Sequence, residues 1–243
     1  MIKLSDRLKI VYDMIPNCAS AADIGCDHGY LSIALVEGKK AKRVIAMDIN
    51  KGPVEAAKEH VKLYGKEDFI EVRRSDGLDE LKENEAQVIA ICGMGGNLMR
   101  RIMEKHIDLC QRAEALVVEP QSEMEEFRSF LNEAGFVIED EAACVEEHKF
   151  YPVIRVSYKP EEAAKQKLTK AQLKYGPVLL SKAPKELLEW LDKDEAEYKR
   201  IHMQLSQKLS GLTEAEGGAI RDRLMELSFE IDTIDAARFA LGR

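Results

Sequence analysis

From its start to about residue 160 the chain alternates short apolar runs with amphipathic stretches, and that alternation limits the folds open to it. The runs at 21–24, 43–47, 69–73, 88–92 and 116–118 begin near turns or charge clusters, and helical patterns such as 53–64, 97–107 and 123–134 follow them. Strands separated by helices at this spacing form a parallel sheet covered on both faces. The rhythm then changes. Gly135-Phe136-Val137-Ile138 and Tyr151-Pro152-Val153-Ile154-Arg155-Val156 are strand-like runs with no helix between them. They predict a hairpin that closes the sheet with an antiparallel strand, so an α/β, Rossmann-like sheet is expected over 1–160.

After Lys159-Pro160 the pattern becomes helical. Leu191, Tyr198, Leu205 and Leu212 recur every seven residues, with Ile201 and Leu209 filling the seam. Ile220, Leu224, Leu227, Ile231, Ile234 and Leu241 follow a stricter four–three alternation. Between the stripes lie Ser210-Gly211, a helix-start-like Thr213-Glu214, and Gly217-Gly218. Two heptad helices joined by a glycine-containing turn predict a C-terminal helical domain over 161–243, folded as an antiparallel coiled coil. The stripes read as packing faces rather than a cofactor site, and whether they close on each other or on another chain is open.

Composition removes several alternatives. No run of eighteen apolar residues exists to span a membrane, and the start of the chain lacks an apolar signal region. The cysteines at 18, 26, 92, 110 and 144 show no C-x-x-C spacing, so neither disulfides nor a metal site is expected. A reduced, cytoplasmic setting follows. A net charge of −8 argues mildly against nucleic acid, yet binding uses a face and not an average. Basic pairs occur at Lys39-Lys40, Lys42-Arg43, Arg73-Arg74 and Arg100-Arg101.

Ligands of open α/β sheets bind outside the carboxyl ends of the strands. Four features fall at such ends: the loop Gly25-Cys26-Asp27-His28 after the first strand, Asp48 after the second, Asp76-Gly77 after the third, and Gly93-Met94-Gly95-Gly96 after the fourth. An acid at the second strand's end suits both hydroxyls of a ribose, as in NAD or S-adenosylmethionine. The first loop separates the two. A pyrophosphate wants bare amides at a helix start, and Asp27 would repel it. S-adenosylmethionine carries a sulfonium cation and no phosphate, so nearby carboxylates suit it, and Asp76 can accept from the adenine amine. The reading is a class I methyltransferase sheet, with S-adenosylmethionine held by Asp23, Gly25, Cys26, Asp27, His28, Asp48, Ile49, Asp76, Gly77, Gly93, Met94 and Gly95. The fourth loop lacks the Asn/Asp-Pro-Pro-aromatic motif of many amino-directed methyltransferases. Its glycines allow close backbone approach, or else make a plain turn into the next helix.

Together, "ADIGCDHGYL", "AMDINKGPVEAA", "RRSDGLDEL", "AICGMGGNLM" and "VVEPQ" resemble the TrmK family of bacterial tRNA (adenine-22-N1) methyltransferases, over essentially the whole chain. Val118-Glu119-Pro120-Gln121 departs from the Gln-Pro-Asn type of sequence usual there, so no role for Glu119 is carried over. The resemblance implies methyl transfer to N1 of an adenine in the D-arm region of tRNA, with tRNA as partner and no membrane or metal. A monomer is favoured, although the oligomeric state is not legible.

N1 of adenine has an in-plane lone pair, so attack needs no base. Positive charge spreads to the exocyclic amine, and an acceptor there is strengthened in the transition state. Asp27 is the expected catalytic carboxylate; the alternative is that it holds a cofactor water or a backbone amide. His28 either orients Asp27 or contacts the cofactor. Cys92 reads as a small buried filler. Arg7 is a contact to a carboxylate or phosphate, or a surface helix charge, and the C-terminal helices are expected to help grip tRNA, unless they present only a solvated face. Other readings stay open at this point: another methyl acceptor (rRNA, protein or a small molecule), or a non-catalytic cofactor-binding scaffold.

Overall fold

A computed structural model describes residues 2–213 and 216–242, so Glu214 of the expected helix start lies outside the described residues. The chain divides into two compact units, Met1–Lys167 and Leu168–Arg243.

The first unit is built on one seven-stranded sheet. Its strands are β1 (Cys18–Ile24), β2 (Ala41–Asp48), β3 (Ile70–Arg74), β4 (Val88–Met94), β5 (Ala115–Pro120), β6 (Phe136–Glu146) and β7 (Lys149–Tyr158), in the spatial order β3-β2-β1-β4-β5-β7-β6. β1 pairs in parallel with both β2 and β4, so strand order reverses there; β7 runs antiparallel between β5 and β6. The central strands are buried along most of their length, which is why β4 and β5 read as continuous apolar runs rather than alternating ones. Helices α2 (Tyr30–Glu37), α3 (Lys51–Leu63), α4 (Gly96–Lys105), α5 (Ile107–Arg112) and α6 (Met124–Glu133) make the crossovers, and a short α7 (Pro160–Ala163) follows the hairpin.

The helix α1 (Asp6–Met14) precedes the sheet. Ser5 accepts the Leu8 N–H at its start. Its end is held by Lys40, whose Nζ donates to the carbonyls of Tyr12, Asp13 and Ile15 at 2.7, 2.9 and 2.7 Å. An ammonium on the last carbonyls satisfies groups that a helix end leaves unpaired. One basic residue of the Lys39-Lys40 pair is therefore structural. So is Arg73, which bonds Glu71 and Glu85 instead of standing ready for phosphate.

Three expected elements come out differently. The helix expected over 97–107 starts at Gly96 and breaks at His106, which leaves helical geometry (φ −128°, ψ 41°) and hydrogen-bonds through Nε2 with Asp79 at 2.7 Å. Both hairpin strands run several residues longer than expected and meet at Glu147 and His148, with φ of 48° and 62°. Two left-handed residues make the tight turn that matches strand twist, but Glu-His lacks the glycine that would have advertised it. Finally, β4 runs on to Met94 through an irregular pairing at Cys92/Met94, so Gly93-Met94 is strand end rather than free loop.

The second unit contains α8 (Lys170–Tyr175), α9 (Pro177–Lys182) and two long helices, α10 (Lys185–Leu209) and α11 (Gly218–Ala240), which pair with each other. Leu187, Leu191, Leu227, Ile234 and Ala237 are fully buried, whereas Tyr198, Ile201, Leu205, Leu209, Ile220, Leu224 and Ile231 are half-buried and Leu212 is exposed. The seam is therefore well packed at one end, where α8 also packs on α11, and thin towards the turn. Among the described residues no helix is long and apolar enough to cross a membrane.

Candidate active site

A cavity of about 540 Å³ opens at the carboxyl ends of the strands flanking the reversal. Of the twelve residues expected around a cofactor, Asp23, Gly25, Cys26, Asp27, His28, Asp48, Ile49, Asp76, Gly77, Gly93 and Met94 line it. Gly95 does not. Its missing Cβ would meet Ser122 Oγ at 2.8 Å and Glu123 Oε2 at 3.3 Å, so it packs against the segment after β5. Close packing, and not ligand approach, requires a glycine there. The same holds for Gly96, where a Cβ would fall 2.7 Å from the Ser122 carbonyl.

The first loop is shaped by its backbone. Gly25, Asp27 and Gly29 have φ of 74°, 49° and 72°. Asp27 is the costly member, because a side chain in left-handed geometry is strained unless its surroundings hold it. Asp48 supplies part of that hold: one carboxylate oxygen accepts the Asp27 N–H at 3.3 Å and the other the Asn50 N–H at 2.9 Å. The Asp27 carboxylate stays exposed, with His28 Nε2 3.7 Å away, a charge contact but too long for a hydrogen bond. Behind it Asp23 is buried and accepts from Ser32 Oγ at 2.6 Å; burial pushes its carboxyl up to about 6 against that hydrogen bond. Asp23 thus braces the turn from within. Burial likewise pushes the thiols of Cys26 and Cys92 up, in keeping with fillers rather than nucleophiles.

The wall also contains residues that the sequence did not single out or left open: Arg7, Leu8, Leu98 and Gln121. Arg7 Nη1 contacts Glu119 Oε2 at 3.4 Å, its Nε lies 3.8 Å from Glu146, and its guanidinium sits 5.4 Å from the Tyr151 ring centre. Glu119 is 1% exposed and accepts the Gly93 N–H at 2.7 Å, while its Oε1 is buried with no hydrogen-bond partner among the described residues. Arg7 and Glu119 are 112 residues apart, beyond any local pattern.

Burial pushes the Glu119 carboxyl up from 4.5 to about 7, with Arg7 working against it. Between those values the folded chain keeps a proton that the unfolded chain has lost, so this group's contribution to stability falls as pH rises through that window. Glu119→Gln keeps an acceptor for Gly93 and removes the titration. The variant is expected to gain on the parent by about 2–3 kcal/mol between pH 4.5 and 8. Urea unfolding at both pH values checks this, and parallel pH dependences of parent and variant would disprove it.

The donor set fits S-adenosylmethionine. The cavity offers carboxylates at three successive strand ends, a left-handed glycine turn at Gly25 and, among the described residues, no lysine on its wall, its one cation there being Arg7, already facing Glu119. Among the described residues no group of three or more His, Cys, Asp or Glu is placed to hold a metal ion.

Comparison with known proteins agrees. Residues 21–231 match the family described as TrmK: tRNA (adenine(22)-N(1))-methyltransferase. The tRNA (adenine(22)-N(1))-methyltransferase of Bacillus subtilis is 34% identical over 207 residues, covering 85% of this chain and 87% of that protein. The crystal structure of the B. subtilis m1A22 tRNA methyltransferase TrmK superposes with a TM-score of 0.84 at 31% identity, over 98% of this chain and 99% of that one. Sp1610 of Streptococcus pneumoniae, solved in complex with S-adenosyl-L-methionine, superposes at 0.78 with 28% identity, over 94% of this chain and 100% of that one.

Proposed function

The chain belongs to the TrmK family of S-adenosylmethionine-dependent tRNA (adenine(22)-N(1))-methyltransferases, and from that premise we propose which of its residues bind, orient and react. The observation that carries the assignment is the convergence of Asp27, Asp48 and Asp76 on one cavity at the strand-order reversal.

Bound S-adenosylmethionine supplies an electrophilic methyl group on a sulfonium. Asp48 would receive the ribose hydroxyls, Asp76 the adenine amine, and the turn at Gly25 the amino-acid tail. The target adenine enters between this half of the cavity and the wall of Arg7, Leu98 and Gln121, turned out of its stack because N1 otherwise lies on the pairing edge. Its N1 lone pair would accept the methyl group that the sulfonium supplies, leaving positive charge on the base. No proton need leave first. Asp27, exposed and held in strained geometry, meets that charge where it spreads to the exocyclic amine; an interaction gained only in the transition state raises the rate.

Asp27→Ala is expected to lower methyl transfer about a hundredfold or more while cofactor affinity stays within a few-fold. The check pairs reverse-transcription stops at adenine 22 of a tRNA transcript with calorimetric cofactor titration. Turnover equal to the parent's would remove Asp27 from the chemistry. The C-terminal helices are assigned to tRNA contact, and the setting is the cytoplasm.

A further inference from the structure

We propose that the rings of His28, Tyr30 and His60 form a stacking platform for an unpaired base of the tRNA strand, next to the adenine being methylated. The proposal rests on the tRNA reading above and adds a binding subsite to it.

The three rings come from separate elements: the loop after β1, the first turn of α2, and α3. Their centres lie 5.6 Å apart for His28–Tyr30, 5.6 Å for His28–His60 and 5.1 Å for Tyr30–His60, with planes inclined by 23°, 36° and 19°. A hydrogen bond between His60 Nδ1 and the His28 carbonyl, 2.9 Å long, joins α3 to the loop. The cluster is thus assembled and held before any ligand arrives. It is not core: Tyr30 is 37% exposed, the His28 side chain 46%, and His60 is half-buried. Three mutually packed rings left open to solvent cost the fold apolar exposure that burial would have removed, and neither the sheet nor the crossover helices need them there.

Position indicates the occupant. His28 and Tyr30 belong to the wall of the catalytic cavity, and His60 continues the surface away from it along α3. In the functional reading above the cofactor takes its polar partners from Asp48 and Asp76, and of the three rings His60 lies outside the cavity lining. Pulling one adenine out of a stacked strand leaves its neighbour with a bare face. Aromatic rings bind such faces without regard to base identity, at about 1–3 kcal/mol per base. A platform that starts at the cavity wall and leads outwards is placed for that neighbour.

The test uses the full-length protein with Tyr30→Ala, Tyr30→Phe, His60→Gln and His60→Phe, and a tRNA transcript carrying 2-aminopurine beside the target adenine. Tyr30→Ala and His60→Gln are expected to weaken tRNA binding about tenfold and to lose the stacking quench of 2-aminopurine. The ring-keeping Phe variants should behave like the parent, and all four should bind S-adenosylmethionine with the parent's affinity, which also reports on folding. Unchanged tRNA affinity and quench in Tyr30→Ala and His60→Gln would overturn the platform while leaving tRNA methylation standing. Loss of cofactor affinity in step with tRNA affinity would overturn it too, by assigning the rings to the cofactor. A parent protein that methylates no tRNA would instead overturn the functional reading and the platform with it.

Discussion

Asp48→Ala is expected to weaken S-adenosylmethionine binding by more than about a hundredfold. Two contributions add. A carboxylate that accepts both ribose hydroxyls makes charge-assisted hydrogen bonds of about 1.5–3 kcal/mol each, and the same carboxylate accepts the backbone N–H groups of Asp27 and Asn50. Its loss releases the Asp27 N–H from its acceptor as well as removing the proposed ribose partner. Asp48→Asn keeps one acceptor and is expected to fall between parent and alanine variant. Calorimetric titration with S-adenosylmethionine measures both. Parent-like affinity in Asp48→Ala would place the ribose elsewhere in the cavity.

The second large effect lies away from the site. Arg128 of α6 and Glu141 of β6 are wholly buried, and Arg128 Nε donates to Glu141 Oε1 at 2.9 Å. Breaking such a pair from one side leaves the other charge without its counter-ion in a dry interior, at a cost of about 3–5 kcal/mol, whereas replacing both partners by apolar groups is often near neutral. Arg128→Met is therefore expected to lower the melting temperature by about 10 °C. The Arg128→Met/Glu141→Leu double variant should recover most of that loss. A double variant no more stable than the single one would show that the destabilisation comes from packing rather than charge.

The cofactor half of the site was legible because it is local in sequence. Each acid follows its strand directly, and an apolar run ending in Asp48 or Ser75-Asp76-Gly77 signals both the strand and its ligand-facing end. The wall with Arg7 was not, because its residues meet only through the fold, Arg7 with Glu119 across 112 positions; the bond of His60 to the His28 carbonyl across 32 is as invisible to local spacing. Glycines gave a mixed signal. Gly25 and Gly93 line the cavity, but Gly95 is a packing glycine, and one-dimensional spacing cannot tell the two reasons apart. The hairpin was underestimated because Glu139-Asp140-Glu141 interrupts the apolar pattern. Glu141 is in fact a strand residue facing the interior, made tolerable by Arg128.

The walls of the site divide between β4 and β5. Everything assigned to the cofactor comes from the β1–β3 side and the end of β4, whereas Arg7, Glu119, Glu146 and Tyr151 come from α1, β5 and the β6–β7 hairpin. The two sets meet along the β4–β5 pairing, where Glu119 accepts the Gly93 N–H and the Gln121 N–H donates to the Met94 carbonyl. In the hairpin, Glu146 and Tyr151 contact Arg7 and none of the acids at 27, 48 and 76, so substitutions there are expected to alter the methyl acceptor before the donor. A change of substrate in a descendant of this chain should be recorded in those segments while the three acids stay as they are.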